Sequence, residues 1–178
     1  MKRISRISII ILTFILYSQL STGCNQNIVY PERVSMTEAN DIIGRTIPLP
    51  SYLPYGFAIQ KTYILENVQV VKTVAFIISD QAVEGKQTRI DQLNGKLVLQ
   101  ISWNRLIGGL KLEGEKFDVS GGRAGFEGAV LVEHDDRNDL LWTWAPNWPN
   151  DEGFAFRLYA DKSIPVEELV KMARSMRY

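Results

Sequence analysis

From residue 57 to residue 160 the apolar side chains recur mostly at every second position, and that period makes the chain a sheet former. Leu97, Leu99, Ile101 and Trp103 alternate with Lys96, Val98, Gln100 and Ser102, the pattern of a strand with one face buried. Val74-Ala75-Phe76-Ile77-Ile78 is apolar on both faces, so it belongs in the middle of a sheet. The same reading predicts strands over 57–65, 68–79, 96–103, 117–119, 126–133, 139–145 and 153–160, the last with Phe154, Phe156 and Leu158 inward. Polar or glycine-bearing stretches separate them: an exposed connection over 80–94, a loop over 107–115, a turn at Ser120-Gly121-Gly122-Arg123 and a hairpin tip over 134–138.

Two helices are predicted at the ends of this region. Ser35-Met36-Thr37-Glu38 has capping-box spacing: the Ser35 hydroxyl accepts from the third backbone N–H and Glu38 reaches back. The helix runs to Ile43, Gly44 offers a left-handed stop, and Met36, Ala39, Ile42 and Ile43 form the side that docks. Near the other end Pro165 suits a first helical turn. Glu167 and Glu168 sit at the positive end of the helix dipole, and Lys171, Arg174 and Arg177 at the negative end. Val166, Leu169, Val170, Ala173 and Met176 make its apolar stripe. Between the first helix and the sheet, Pro48, Pro50 and Pro54 deny donors to a helix or central strand. Pro54-Tyr55-Gly56 reads as a tight turn, with Tyr52, Leu53 and Phe57 plugging the core edge. Strands joined by short turns pair antiparallel. The expected fold class is therefore α+β: a twisted antiparallel sheet of about six to seven strands, with a short N-terminal helix and a C-terminal helix packed on it.

Charge and cysteine usage narrow the function. Lys+Arg and Asp+Glu are both 20, so nothing draws the chain to nucleic acid. One His excludes a multi-His metal centre and one Cys excludes an internal disulfide. That Cys is Cys24, and what precedes it is distinctive. Lys2, Arg3 and Arg6 open the chain, residues 7–20 are largely Ile, Leu, Phe and Tyr, and Ser21-Thr22-Gly23 leads to Cys24. Fourteen residues fall short of the roughly 20 that span a bilayer and suit the hydrophobic region of a secretory signal. The arrangement resembles a bacterial lipoprotein signal, cut before a Cys whose thiol carries a diacylglycerol. Ser21 stands three places before Cys24, with Leu20 one position further out, a departure from the usual box. The reading that competes with lipidation is a cleaved signal or uncleaved anchor in which Cys24 is incidental. Residues 1–23 are thus read as the signal, 24–34 as a polar tether and 35–178 as one extracytoplasmic domain. Removal of 1–23 takes three of the 20 basic residues and no acid, leaving 17 against 20 and a net charge of −3. Anchoring to the outer face of the cytoplasmic membrane would therefore come from acyl chains on Cys24, not from a basic patch.

The order of the pieces resembles a bacterial family of extracytoplasmic domains of unknown function. Its members occur as small lipoproteins or at the outer ends of anti-sigma-factor-like membrane proteins, and are distantly similar to lipoprotein-carrier and sigma-E regulatory folds. The resemblance starts at Pro50-Ser51-Tyr52-Leu53-Pro54-Tyr55-Gly56-Phe57, where Tyr55 replaces a frequent Glu of the family's Pro-x-Tyr-Leu-Pro-x-Gly-aromatic turn. It resumes at Gly122-Arg123-Ala124-Gly125 and Leu141-Trp142-Thr143-Trp144, and closes with 154–159 and 166–176. The family carries no established catalytic residues, so the resemblance implies none here, and no cofactor.

Several clusters invite chemistry. Glu133-His134-Asp135-Asp136-Arg137-Asn138-Asp139 is the densest polar run. It lacks the spacing and Gly of a calcium loop, His134 alone builds no zinc site, and a hairpin tip explains the Asp and Asn. Ser120-Gly121-Gly122 is no nucleophile elbow, and 121–125 lacks the Lys-Ser/Thr of a phosphate loop. Trp142 and Trp144 share a strand face and read as core. Trp148, between Pro146 and Pro149, either folds back as a lid or stands out to meet a sugar, lipid or protein. Trp148 and Tyr55 are therefore the candidate partner or ligand surface. The expected function is a membrane-anchored, non-catalytic binding or sensory module facing an envelope protein or lipid. The alternatives are a lipid or lipoprotein carrier, a cell-envelope hydrolase and a structural partner subunit.

Overall fold

In the computed structural model, which describes residues 34–66, 72–83, 97–104, 114–121, 128–144 and 153–177, the period-two runs become strands. Cys24 and Trp148 lie outside the described residues, as do the leader, most of the tether and the 84–96 connection. In chain order the elements are α1 (Met36–Ile43), β1 (Leu49–Pro50), β2 (Ala58–Glu66), β3 (Lys72–Ser79), β4 (Leu97–Asn104) and β5 (Glu115–Phe117). Then come β6 (Ala129–Glu133), β7 (Arg137–Trp144), β8 (Gly153–Asp161), α2 (Val166–Arg174) and β9 (Met176–Arg177). Strands β2 to β8 form one seven-stranded antiparallel sheet ordered β2-β3-β4-β8-β7-β6-β5, and β1 pairs with β9 separately. Two meanders, β2-β3-β4 and β5-β6-β7-β8, thus meet along the central β4–β8 pair. The α+β class holds, with the sheet at the upper end of the expected strand number.

One face of the sheet carries the main core. Phe76, Leu97, Leu99, Leu140, Trp142, Phe156 and Leu158 are all closed to solvent there, each contributing about 1.5–3 kcal/mol of transfer free energy. Trp142 stacks on Phe156 with centroids 4.9 Å apart, and Trp144 stacks on Phe154 at 6.1 Å. The helices supply the rest of that layer: Ala39 and Ile43 from α1, and Leu169, Val170, Met172 and Ala173 from α2. Both capping-box bonds at Ser35 form, and Gly44 closes α1 with a left-handed φ of 76°. Pro54 O accepts from Phe57 N–H at 2.9 Å, closing the turn that holds Tyr55. Gly114 marks a closer constraint: a Cβ there would lie 2.4 Å from Leu131 O, so only glycine admits the edge strand β5 against β6.

Three expectations change. Ile42, placed on the docking side of α1, is 41% exposed. In an eight-residue helix the stripe narrows to Ala39 and Ile43, with Met36 partly buried. Met176, read as helical, belongs to β9, because α2 stops at Arg174 and the chain turns back to pair with β1. The strand expected over 117–119 runs instead over Glu115–Phe117, with Asp118 and Val119 beyond the pairing with β6, and β6 starts at Ala129 after Gly128; residues 68–71 and 126–127 lie outside the described residues.

Candidate functional site

Strand geometry sends alternate side chains to the face turned away from the helices. Register aligns them into rows across the sheet. One outer row reads Lys61, Ile77, Val98, Tyr159, Asp139, Val132 from β2 to β6. The next reads Tyr63, Ala75, Gln100, Arg157, Leu141, Val130, and the one beyond it Leu65, Thr73, Ser102, Ala155, Thr143. On the β2–β3 side this face is closed by Tyr63, Leu65, Ala75, Ile77 and Val98 with Val83. Over β4, β8 and β7 it sinks instead into a groove of about 260 Å³. Ala155 is the physical cause: a methyl group between Ser102 and Thr143 leaves a hollow that a longer side chain would fill. Gln100, Leu141 and Arg157 form the neighbouring row that bounds it.

Arg157 is held from beneath by an ion network. The Asp139 carboxylate is 1% exposed, although it sits on a sheet surface. Its Oδ2 accepts from Arg157 Nη2 at 2.6 Å and lies 3.2 Å from His134 Nε2, while Oδ1 accepts from Arg137 Nε at 3.1 Å. A buried carboxylate persists only when paired in this way. The Arg157 guanidinium also lies 4.2 Å from the Tyr159 ring centroid, a stacking that fixes its plane. Burial pushes the Tyr159 phenol above its ordinary value, against the pull of Arg157. That phenol donates to Gln100 Oε1 at 3.0 Å, which leaves the two Nε2–H donors and one lone pair of the Gln100 amide. Arg157 Nε is buried with no acceptor.

The structure distributes the sequence candidates unevenly. His134, Asp135 and Asp136 form the β6–β7 hairpin tip, where His134 N–H donates to Arg137 O at 2.9 Å. Asp139, the last residue of that polar run, points into the network instead. Ser120 is tied into a local turn, its hydroxyl donating to Asp118 at 2.7 Å. Tyr55 is fully exposed at the Pro54–Phe57 turn, away from the groove strands. Trp142 and Trp144 lie in the helix-covered layer as core. Among the described residues no cluster of three or more His, Cys, Asp or Glu is placed to hold a metal ion, and no helix is long and apolar enough to cross a membrane. Gln100, Asp139, Ala155 and Arg157 were missed as a group. The alternation that turns Phe154, Phe156 and Leu158 inward already turns Ala155 and Arg157 outward, but only strand register brings them beside Gln100 and Thr143. No protein-family model, curated protein or solved structure matches the chain.

Proposed function

We propose that the protein is a non-catalytic binding or sensory module, lipid-anchored through Cys24 at the outer face of the cytoplasmic membrane, and that it binds through the groove over β4, β8 and β7. The groove carries this reading. Its lining of Ser102, Thr143, Gln100 and Arg157 offers groups that hold a ligand by hydrogen bonds, over a floor kept open by Ala155. The lipobox-like run ending at Gly23-Cys24 and the resemblance to extracytoplasmic lipoprotein domains support the placement. The groove is smaller than the ~300–1,000 Å³ usual for drug-sized ligands, which favours a compact ligand over the acyl chain of a carrier.

Two experiments test it. Radiolabelled palmitate should label the wild-type chain, and Cys24→Ala should abolish labelling and release the protein from membranes. Unchanged labelling in the variant contradicts the anchor. A fragment screen by NMR on the full chain in detergent should give hits whose shift changes cluster at Ser102, Thr143, Ala155 and Arg157. Hits absent there, whatever their charge, contradict the binding surface.

A further inference from the structure

We infer that the groove recognises a compact carboxylate, seated on the Arg157 guanidinium between Ser102 and Thr143; this rests on the binding reading above and names its ligand class. Three observations carry it. First, the hydrogen-bonded network sets two guanidiniums, Arg137 and Arg157, against the single carboxylate of Asp139. Asp161 stands opposite Arg137 in register, so the counter-charge that Arg157 has is its share of Asp139, and a compact anion on Arg157 adds to it. Second, the hydrogen-bonding groups lining the groove are chiefly donors or hydroxyls. The Gln100 oxygen is engaged by Tyr159, and Ser102 Oγ shares a 2.8 Å hydrogen bond with Thr73 Oγ1. Third, Arg157 is preorganised yet not satisfied. Asp139 grips it through one nitrogen, Tyr159 stacks on its plane, and its Nε–H lacks an acceptor. A buried donor left unpaired is costly, and the Arg157 side chain is still 39% exposed, so a carboxylate meets the guanidinium from the groove while Asp139 keeps its hold. The planar fork of Arg matches a carboxylate at two points, which selects it over a neutral amide of equal size. The groove holds roughly nine water-sized volumes at about 30 Å³ each, room for a molecule the size of N-acetylglycine.

The test is an NMR titration of the isotope-labelled full chain in detergent with N-acetylglycine, using N-acetylglycinamide and inorganic phosphate as comparison probes. The expected result is saturable shifts at Ala155, Thr143 and the Arg157 side chain, with a Kd on the order of 1 mM. N-acetylglycinamide, which lacks the charge, and phosphate, which lacks the acyl body that fills the hollow over Ala155, should each bind at least about tenfold more weakly. Arg157→Lys, which keeps the charge but loses the fork, should weaken N-acetylglycine about tenfold. Ala155→Leu, which fills the groove without touching the ion network, should abolish the shifts while the rest of the spectrum stays folded. Equal binding of the neutral amide or of phosphate overturns the carboxylate assignment, as does unchanged binding in Ala155→Leu. If neutral fragments occupy the groove while carboxylates do not, the ligand class is wrong and the binding surface stands. If nothing of any charge occupies it, both fall.

Discussion

Asp139 shows how much one residue can decide. Its carboxylate is nearly sealed, and three basic side chains converge on it. Asp139→Asn keeps the shape but strands Arg137 and Arg157 beside a neutral amide. The expected loss is about 2–4 kcal/mol, below the largest values for buried pairs because the Arg157 side chain is 39% exposed and partly screened. Urea unfolding checks this, and a loss under about 0.5 kcal/mol would mean the network is not structural. Trp142 poses a different question. Its Nε1 is buried without an acceptor, so the ring contributes packing while its N–H is a liability. Trp142→Ala should cost about 3–5 kcal/mol, and Trp142→Phe less than half of that, because the smaller ring removes the orphan donor along with some volume. Equal costs for the two would refute the assignment. Tyr159 gives a pH signature. Its folded pKa is raised by burial, so the stability it contributes is intact below the unfolded value of about 10 and is lost as pH rises through the folded value. Alkaline unfolding monitored by fluorescence should therefore be less steep in Tyr159→Phe than in the wild type.

At the scale of elements, the two ends of the described chain are fastened to each other. β1 pairs with β9 through Leu49 with Arg177 and Pro50 with Met176. Just beyond, Ser51 N–H donates to Ser175 O at 3.0 Å and Tyr52 N–H to Ser175 Oγ at 3.0 Å. The Tyr52 hydroxyl donates to Glu168, which also accepts from Lys171 at 2.7 Å. These bonds, Lys171 first, hold the Glu168 carboxyl below its usual range, as Ser35 does for Glu38 and Ser120 for Asp118. The stability these depressed groups contribute is present above the ordinary carboxylate value of about 4 and is lost as pH falls through their lower folded values. Met176, 1% exposed, anchors the clasp in the core. Met176→Ala should cost about 2–4 kcal/mol and speed hydrogen exchange at the Ser51 and Tyr52 amides, measured by NMR. Unchanged protection there would show that the clasp is not held by its buried methionine. This contact was illegible in the sequence. Two residues at each end carry no period, and Pro50 argued against a strand, although an edge pair tolerates it. The strands of the main sheet were legible because Leu97 to Trp103 and Phe154 to Leu158 alternate cleanly, and both helices because their caps and charges sit at the right ends. Their bounds drifted by a residue or more, since alternation does not mark where pairing stops.

At the scale of the whole molecule, a two-layer arrangement sets the proposed groove on the face turned away from the helices. Among the described residues, the helices close one side of the sheet with Leu169, Ala173 and Ala39, and the other side presents rows of side chains in fixed register. Seven paired strands make that surface rigid, which suits a site that must hold a guanidinium at one angle. The sequence pointed toward Tyr55 and Trp148 because aromatics in proline-bearing turns and loops are conspicuous, whereas the groove depends on a small residue, Ala155, and on neighbours from three strands. Such a site is written in register, which no single segment encodes. Mass spectrometry of the protein purified from membranes should find the chain beginning at Cys24 with a diacylglyceryl group, and an intact leader with a bare thiol would remove the placement at the membrane. The most direct test of the account is a crystal structure of the protein soaked in N-acetylglycine. It should show the carboxylate within hydrogen-bond distance of Arg157, over Ala155, with Asp139 still holding the guanidinium from behind. Clear density for the molecule elsewhere, with the groove unchanged, would contradict it.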